Sequence, residues 1–250
     1  MTKYKLTEET KEHEGVILYR IELTADCWWG KKGDKGGWVQ SSDNLSEDAW
    51  VSGNAEVLGN ARVSGNAQVS GNAKVYGDAK VWGNACVYGN ACVFGDAWVS
   101  GNAEVLGNAR VSGNARVNGN ASVFGNACVF GDAWVSGNAE VYGKAWVYGN
   151  ACVCGNALVW GNAMVSGNAQ VYGNARVYGN ARVYIDMILT DGKWDSTQMF
   201  VHIPKGPTMN MSGPGILRIG CYHKPIGEWL KDEGYKYRRY VWIFADEYGL

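Results

Sequence analysis

The sequence predicts an all-β solenoid: a parallel, triangular β-helix of about eight coils, with a small N-terminal β cap and a small C-terminal α+β domain. Three observations carry that expectation. From Ala49 to Asn180 the chain is an unbroken series of 22 hexapeptides of the form A-x-V-x-G-N, with Asp or Lys sometimes in the last place. Ala and Val stand two apart, so an extended backbone turns both to one side and the residues between them to the other. Glycine numbers 35 against only 4 prolines and recurs at a fixed period, unlike the glycine of disordered or collagen-like chains.

Each hexapeptide reads as one short strand and one corner, because Gly and Asn both tolerate the positive φ that a sharp corner requires. Three such sides close a coil of 18 residues around a narrow core of Ala and Val. One coil cannot bury that core, but stacked coils can, each pairing its backbone with the next. At roughly 4.8 Å between strands, about eight coils make a rod about 40 Å long. A weaker form of the pattern precedes Ala49: Val39 and Leu45 hold the valine phase, Ser42 and Asp48 the corner phase. At the far end, Ala181 to Asp186 begin the pattern and lose it at Ile185. The expected organisation is a cap over residues 1–36, the solenoid over 37–186 and a separate domain over 187–250.

Bulk properties exclude several classes. A formal net charge of −1 removes any global electrostatic argument for a nucleic-acid polymer or an anionic membrane. The opening MTKYKLTEETKEHEG is polar and charged and does not read as a signal peptide. No stretch approaches the roughly 20 apolar residues of a membrane span. Seven cysteines, odd in number and irregularly spaced, do not form a disulfide framework. The expected setting is a reducing bacterial or infected-host cytoplasm, with a virion not excluded. Cys152 and Cys154 lie on one strand as C-V-C, too close for ordinary disulfide geometry and lacking partner ligands for zinc, so no metal or cofactor is expected.

Val51 and Ala55, and every later pair at that spacing, resemble the hexapeptide-repeat family over residues 37–186. The resemblance implies a left-handed parallel β-helix. The chain departs from the family in carrying Ser52, Leu58, Tyr76 or Trp82 where Gly, Ala or an acid is usual, with Gly one place later. Many members are acyltransferases and some are carbonic anhydrases. Those activities imply a catalytic His at a subunit cleft beside an expelled loop, or three His around one metal. Here His13, His202 and His223 all lie outside the repeats, and no loop interrupts residues 49–180. General-base catalysis needs a titratable group held near its substrate, and the repeats offer it no cleft. The chain is therefore not expected to be an enzyme.

Both ends carry resemblances of their own. MTKYKLTEET, VILYRIELTAD and KKGDKGGWVQSSDNLS resemble the start of the YdcK family of bacterial and phage β-helix proteins. GILRIGCYHKPIGEWL is similar to a small C-terminal module of prophage-encoded proteins, in which I-G-C is followed by a short turn and a helix. In the N-terminal region Tyr4–Leu6 and Val16–Leu23 read as strands separated by a polar loop, fit to hide a terminal strand edge. In the C-terminal region MFVHI and GILRIGCY read as strands around a Pro/Gly loop, and IGEWLKDEGYKYRRYVWIFADEY reads as helical with an apolar stripe. Cys221 and His223 are the one chemically interesting pair there, ordinarily a buried thiol beside a surface imidazole. With Trp229 and Arg238 they are the candidate residues of the module.

The outward positions are unusual. Between Ala49 and Tyr184 there are 46, of which ten are charged, sixteen aromatic and nine Cys, Leu or Met. More than half of this exterior is apolar, beyond what a monomer normally exposes in contiguous patches. Aromatics on successive coils would stack into ladders that stiffen the rod; the remainder calls for a covered surface. One side carries Leu106, Phe124, Tyr142, Trp160 and Tyr178 in a single column, the candidate for a dimer or trimer seam or for a platform under flat ligands. Another carries Tyr76, Phe94, Ser112, Phe130 and Tyr148, broken at the serine. Ice-binding β-helices need threonine arrays, and residues 49–184 hold no Thr; DNA mimics need a strongly acidic rod, and the same span has eight basic and six acidic residues. The stretch AWVSGNAEVLGNARVSGNA recurs at an offset of 48, not a multiple of 18, and ACVFGDAWVSGNAEV at 36. Side identity is thus only partly preserved, which favours a spacer over one finely tuned site.

The leading expectation is a non-enzymatic phage- or prophage-type scaffold or binding protein, a homo-oligomer that presents residues 187–250 to a protein partner. A ligand-binding alternative is a viral sponge that sequesters a host nucleotide immune signal between protomers, with Arg62, Arg110, Arg116, Arg176 and Arg182 meeting phosphates. A hydrolase or transferase built on Cys221 and His223 is the third reading.

Overall fold

The computed structural model describes residues 3–46 and 48–183, two strands at 188–189 and 193–194, and four more between 200 and 225. The chain opens with β1 (Tyr4–His13) and β2 (Val16–Leu23), an antiparallel hairpin turning at Glu14 and Gly15, whose φ of 49° and 81° suit a two-residue hairpin turn. The polar stretch expected to be a loop is therefore strand as far as His13, with one irregularity between Leu6 and Thr10. An edge strand exposed to solvent does not need apolar alternation. β3 (Lys35–Val39) pairs antiparallel with β2 and parallel with the first full coil, Trp38 opposite Glu56 and Val39 opposite Val57.

From Trp50 onward each hexapeptide supplies one two-residue strand, x-V, paired in parallel with its equivalent one coil on. Three faces result. The first runs from β3 through Glu56–Val57 to Arg182–Val183, the second from Arg62–Val63 to Ile188–Leu189, and the third from Trp50–Val51 to Lys193–Trp194. The architecture is an all-β, mostly parallel solenoid of about eight turns with a triangular section and an N-terminal hairpin. The ladders run past the end expected near Asp186. Leu189 takes the valine place opposite Val171 and is buried, and Trp194 stands opposite Val177 after a side one residue short. The six-residue wording stops there, but Leu189 still puts an apolar residue in the valine place.

The interior is Ala on Val with no solvent exposure from Ala55 to Val177. The coils are joined by backbone hydrogen bonds from both outward residues of the hexapeptides and, in most of them, from the corner residue. Trp50 N–H donates to the Ala67 carbonyl at 2.9 Å, Ser52 to Val69 at 2.9 Å and Asn54 to Gly71 at 2.8 Å. The corners add side-chain ladders. At the corner between the second and third faces, Asn66 Nδ2 donates to Asn84 Oδ1, and the series continues through Asn102, Asn120, Asn138 and Asn156 to Asn174 at 2.9–3.3 Å. Asparagine can both accept and donate, so the ladder propagates; aspartate accepts from the Asn below it, as Asp78 does from Asn60 and Asp132 from Asn114, and has no proton to pass on.

The hairpin is fastened over the first face by charge. Glu56 is only 7% exposed and meets Lys11 at 2.8 Å, Lys74 at 3.4 Å and His13 at 3.6 Å. Trp38 lies between Lys11 and Arg20, whose charged groups sit 4.6 and 4.9 Å from its ring centroid. Tyr4 closes the open end, its hydroxyl donating to the Ser42 and Leu45 carbonyls. Beyond the rod, Phe200–His202, Thr208–Gly213, Ile216–Ile219 and Tyr222–Pro225 form a four-stranded antiparallel sheet. The segment GILRIGCY contributes to two of these strands rather than one. The helix expected after it lies outside the described residues.

Candidate binding faces of the rod

The column singled out on the third face is a stack. Phe124 lies on Tyr142 with ring centroids 4.7 Å apart and planes within 2°, Tyr142 on Trp160 at 5.7 Å, and Trp160 on Tyr178 at 4.7 Å, with Leu106 one coil below. On the first face Tyr76 stacks on Phe94 and Phe130 on Tyr148, both at 4.9 Å, on either side of Ser112. In register parallel strands, equivalent side chains rise about 4.8 Å per coil, near the thickness at which flat rings touch. The ring faces are therefore turned along the rod and occupied by one another. Within each stack the facing sides of the rings are taken up by one another, and the two first-face pairs are separated by Ser112.

The second face is different. One column reads Arg62, Lys80, Trp98, Arg116, Trp134, each paired in register with the next. Lys80 Nζ lies 4.9 Å and the Arg116 guanidinium carbon 5.3 Å from the Trp98 ring centroid, so cations flank the indole. Trp134 Nε1 donates to Asn118 Oδ1 at 3.0 Å. Arg62, Lys80 and Arg116 are the only charged outward residues of this face between 61 and 172, and all are positive. Its aromatics stand out from the surface: Trp82 is 47% exposed, Trp98 38%, Trp134 48% and Tyr172 36%, whereas the third-face column is half-buried. Along the corner that leads into this face run Asp78, Asp96 and Asp132, the three places between 49 and 180 where Asp replaces Asn. At its N-terminal end, Asp78, Asp96, Arg62, Lys80 and Trp98 line an open trough of about 610 Å³, bounded by Ser41, Asp43 and Asn44.

This trough and its cation–indole column were not among the sequence candidates. Their signal was present, since 62, 80, 98, 116 and 134 share one residue of the 18-residue period, and so do 78, 96 and 132. The five arginines considered for phosphate do not converge. Arg62 and Arg116 are on the second face, Arg110 and Arg182 on the first, and Arg176 on the third. Cys221, Trp229 and Arg238 lie outside the described residues, and His223 is placed only as part of the strand Tyr222–Pro225.

Cys152 belongs to the second face as well. Burial pushes its thiol up to about 12, helped by the neighbouring Cys154. Alkylation of Cys152 by iodoacetamide should be slow at pH 8 and accelerate only in strong alkali, because the thiolate is the nucleophile. In Cys154→Ser the onset should move to lower pH, read by mass spectrometry of the labelled peptide; an unchanged onset would mean that Cys154 contributes nothing.

The molecule is a β-solenoid rod with chemically distinct sides. The chain is similar to the YdcK β-solenoid repeat, whose family model matches residues 109–123 and 169–185. As far as Val183 both stretches lie within the stacked coils, so the relation shown is one of solenoid fold. No curated protein matches the chain.

Proposed function

We propose that the protein is a non-enzymatic scaffold or binding protein of the phage or prophage type, a homo-oligomeric rod that presents residues 187–250 to a protein partner in the cytoplasm or virion. The observation that carries this reading is the unbroken register of the three ladders from Trp50 to Val183. No coil in that span expels a loop, which supports a rod that works through its side columns and its ends. The match of residues 109–123 and 169–185 to the YdcK β-solenoid repeat supports the rod, and the resemblance of residues 215–230 to a prophage-encoded module motivates the partner-facing end. The five arginines considered for phosphate are spread over three faces, which favours this reading over the nucleotide-sponge alternative.

The test is native mass spectrometry of the full chain purified from its host, with denaturing analysis of released small molecules and cross-linking to bound proteins. The expected result is an oligomer free of stoichiometric small ligand, with cross-links to a partner concentrated in residues 187–250. A stoichiometric nucleotide released on denaturation would overturn the proposal.

A further inference from the structure

We propose that the second face is where two copies of this chain meet, with their rods antiparallel about a two-fold axis that runs along the strands between the levels of Trp98 and Arg116. The inference deepens the homo-oligomeric part of the functional reading and rests on it. It begins with exposure. Of the six large apolar side chains standing out between residues 50 and 183, four are on this face, and the stacking that shelters rings elsewhere is absent here: Lys80 and Arg116 flank Trp98, and Ser64 and Ser100 stand one coil either side of Trp82.

The columns are straight, since each strand pairs in register with the next. A two-fold axis along the strands keeps each residue's place across the face and reverses its level along the rod. Centred between Trp98 and Arg116, it sets Lys80 opposite the second copy's Trp134 and Arg116 opposite the second copy's Trp98, each twice over. Arg62 falls opposite Cys152. In the adjoining column Trp82 meets Ser136, so a large side chain faces a small one. Other centres are poorer. Centring on Trp98 sets Lys80 against Arg116, and centring on Arg116 sets that residue against itself. Centring one level further along leaves a single cation–indole pair and puts Trp82 against Tyr172.

Charge and area fit the same partner. The three cations are matched in number by Asp78, Asp96 and Asp132 on the adjoining corner. Lys80 and Arg116 each face a level of the second copy that carries both an indole and one of these carboxylates. The second copy's Trp134 enters at the level of Lys80, which lines the trough. Six coils at about 4.8 Å by one side of about 20 Å bury on the order of 500–600 Å² per copy, a total of about 1,000 Å², where specific interfaces begin.

The experiment is a charge swap read by analytical ultracentrifugation of the full-length protein. The native chain should sediment as a dimer. Trp134→Lys puts a lysine opposite Lys80 at two symmetric places and should weaken the dimer about a hundredfold or more. Adding Lys80→Glu to Trp134→Lys should restore it to within about tenfold of the native chain. Trp146→Lys, at a site 45% exposed on the first face, should leave it intact. A monomeric native chain would overturn both the oligomer reading and this face. A dimer that survives Trp134→Lys, or one that Lys80→Glu fails to restore, would overturn this pairing while leaving the oligomer reading standing.

Discussion

Gly119→Ala should destabilise the rod by about 2–5 kcal/mol and split its unfolding into two steps. Gly119 has φ +71°, and a Cβ there would meet the backbone nitrogen and oxygen of Gly137, one coil on, at 3.0 Å. Two effects add. The left-handed conformation costs a non-glycine residue about 1–2 kcal/mol. The new methyl also presses on backbone, which cannot rotate aside as a side chain would, so it lifts one coil from the next and lengthens the corner hydrogen bond that Asn120 makes to the Gly137 carbonyl at 2.7 Å. In a stacked array stability resides in each unit and in the interface between neighbours, so a weak interface near the middle lets the halves melt separately. Gly15→Ala is the control: φ is +81°, yet nothing lies within 4 Å of the added carbon. It should show the conformational cost alone. Urea titrations followed by circular dichroism measure both; equal losses would mean that close approach of the corners does not limit the stacking.

This contrast also marks what could be read from the letters. A-x-V-x-G-N carries the fold almost completely, because a period-two strand, a positive-φ corner and a core too narrow for anything beyond Ala and Val leave few other arrangements. Legibility failed where phase persisted without the wording. Leu189 continues the valine series six residues after Val183, but its neighbours are no longer Ala, Gly or Asn, and the coil beyond Asp186 was missed. It failed again at Thr7–His13, where a polar edge strand has no apolar alternation to betray it. For the sides of the rod, the sequence gives columns but not the direction in which rings lean. The column from Leu106 to Tyr178 was legible as a candidate seam or platform, but not that Phe124, Tyr142, Trp160 and Tyr178 lie flat on one another. The cation–indole column was overlooked because no single hexapeptide announces it; it appears only when residues 18 apart are read as one line.

Glu56→Gln should loosen the N-terminal hairpin by about 1–2 kcal/mol at neutral pH, and the loss should fade on acidification. The carboxylate is nearly buried against Lys11, His13 and Lys74, where burial by itself would favour the neutral acid. The hydrogen bond and charge of Lys11, with Lys74 and His13, outweigh that and hold the carboxyl below the usual range. Since the folded pKa is lower than the unfolded one, the unfolded state binds the proton more tightly, and stability rises with pH between the two values. The contribution is complete above the ordinary glutamate range and disappears as pH falls through the depressed folded value. Partial exposure of the three cations keeps the loss well below that of breaking a fully buried ion pair. Gln cannot titrate, so native and variant proteins should differ most near neutrality and converge in acid. Hydrogen exchange along Tyr4–His13 resolves the local effect from melting of the rod. A gap that stays constant from pH 7 to pH 3 would show that the ion cluster does not fasten the hairpin, and would leave Tyr4 and the buried Ile21 and Leu23 as what holds it.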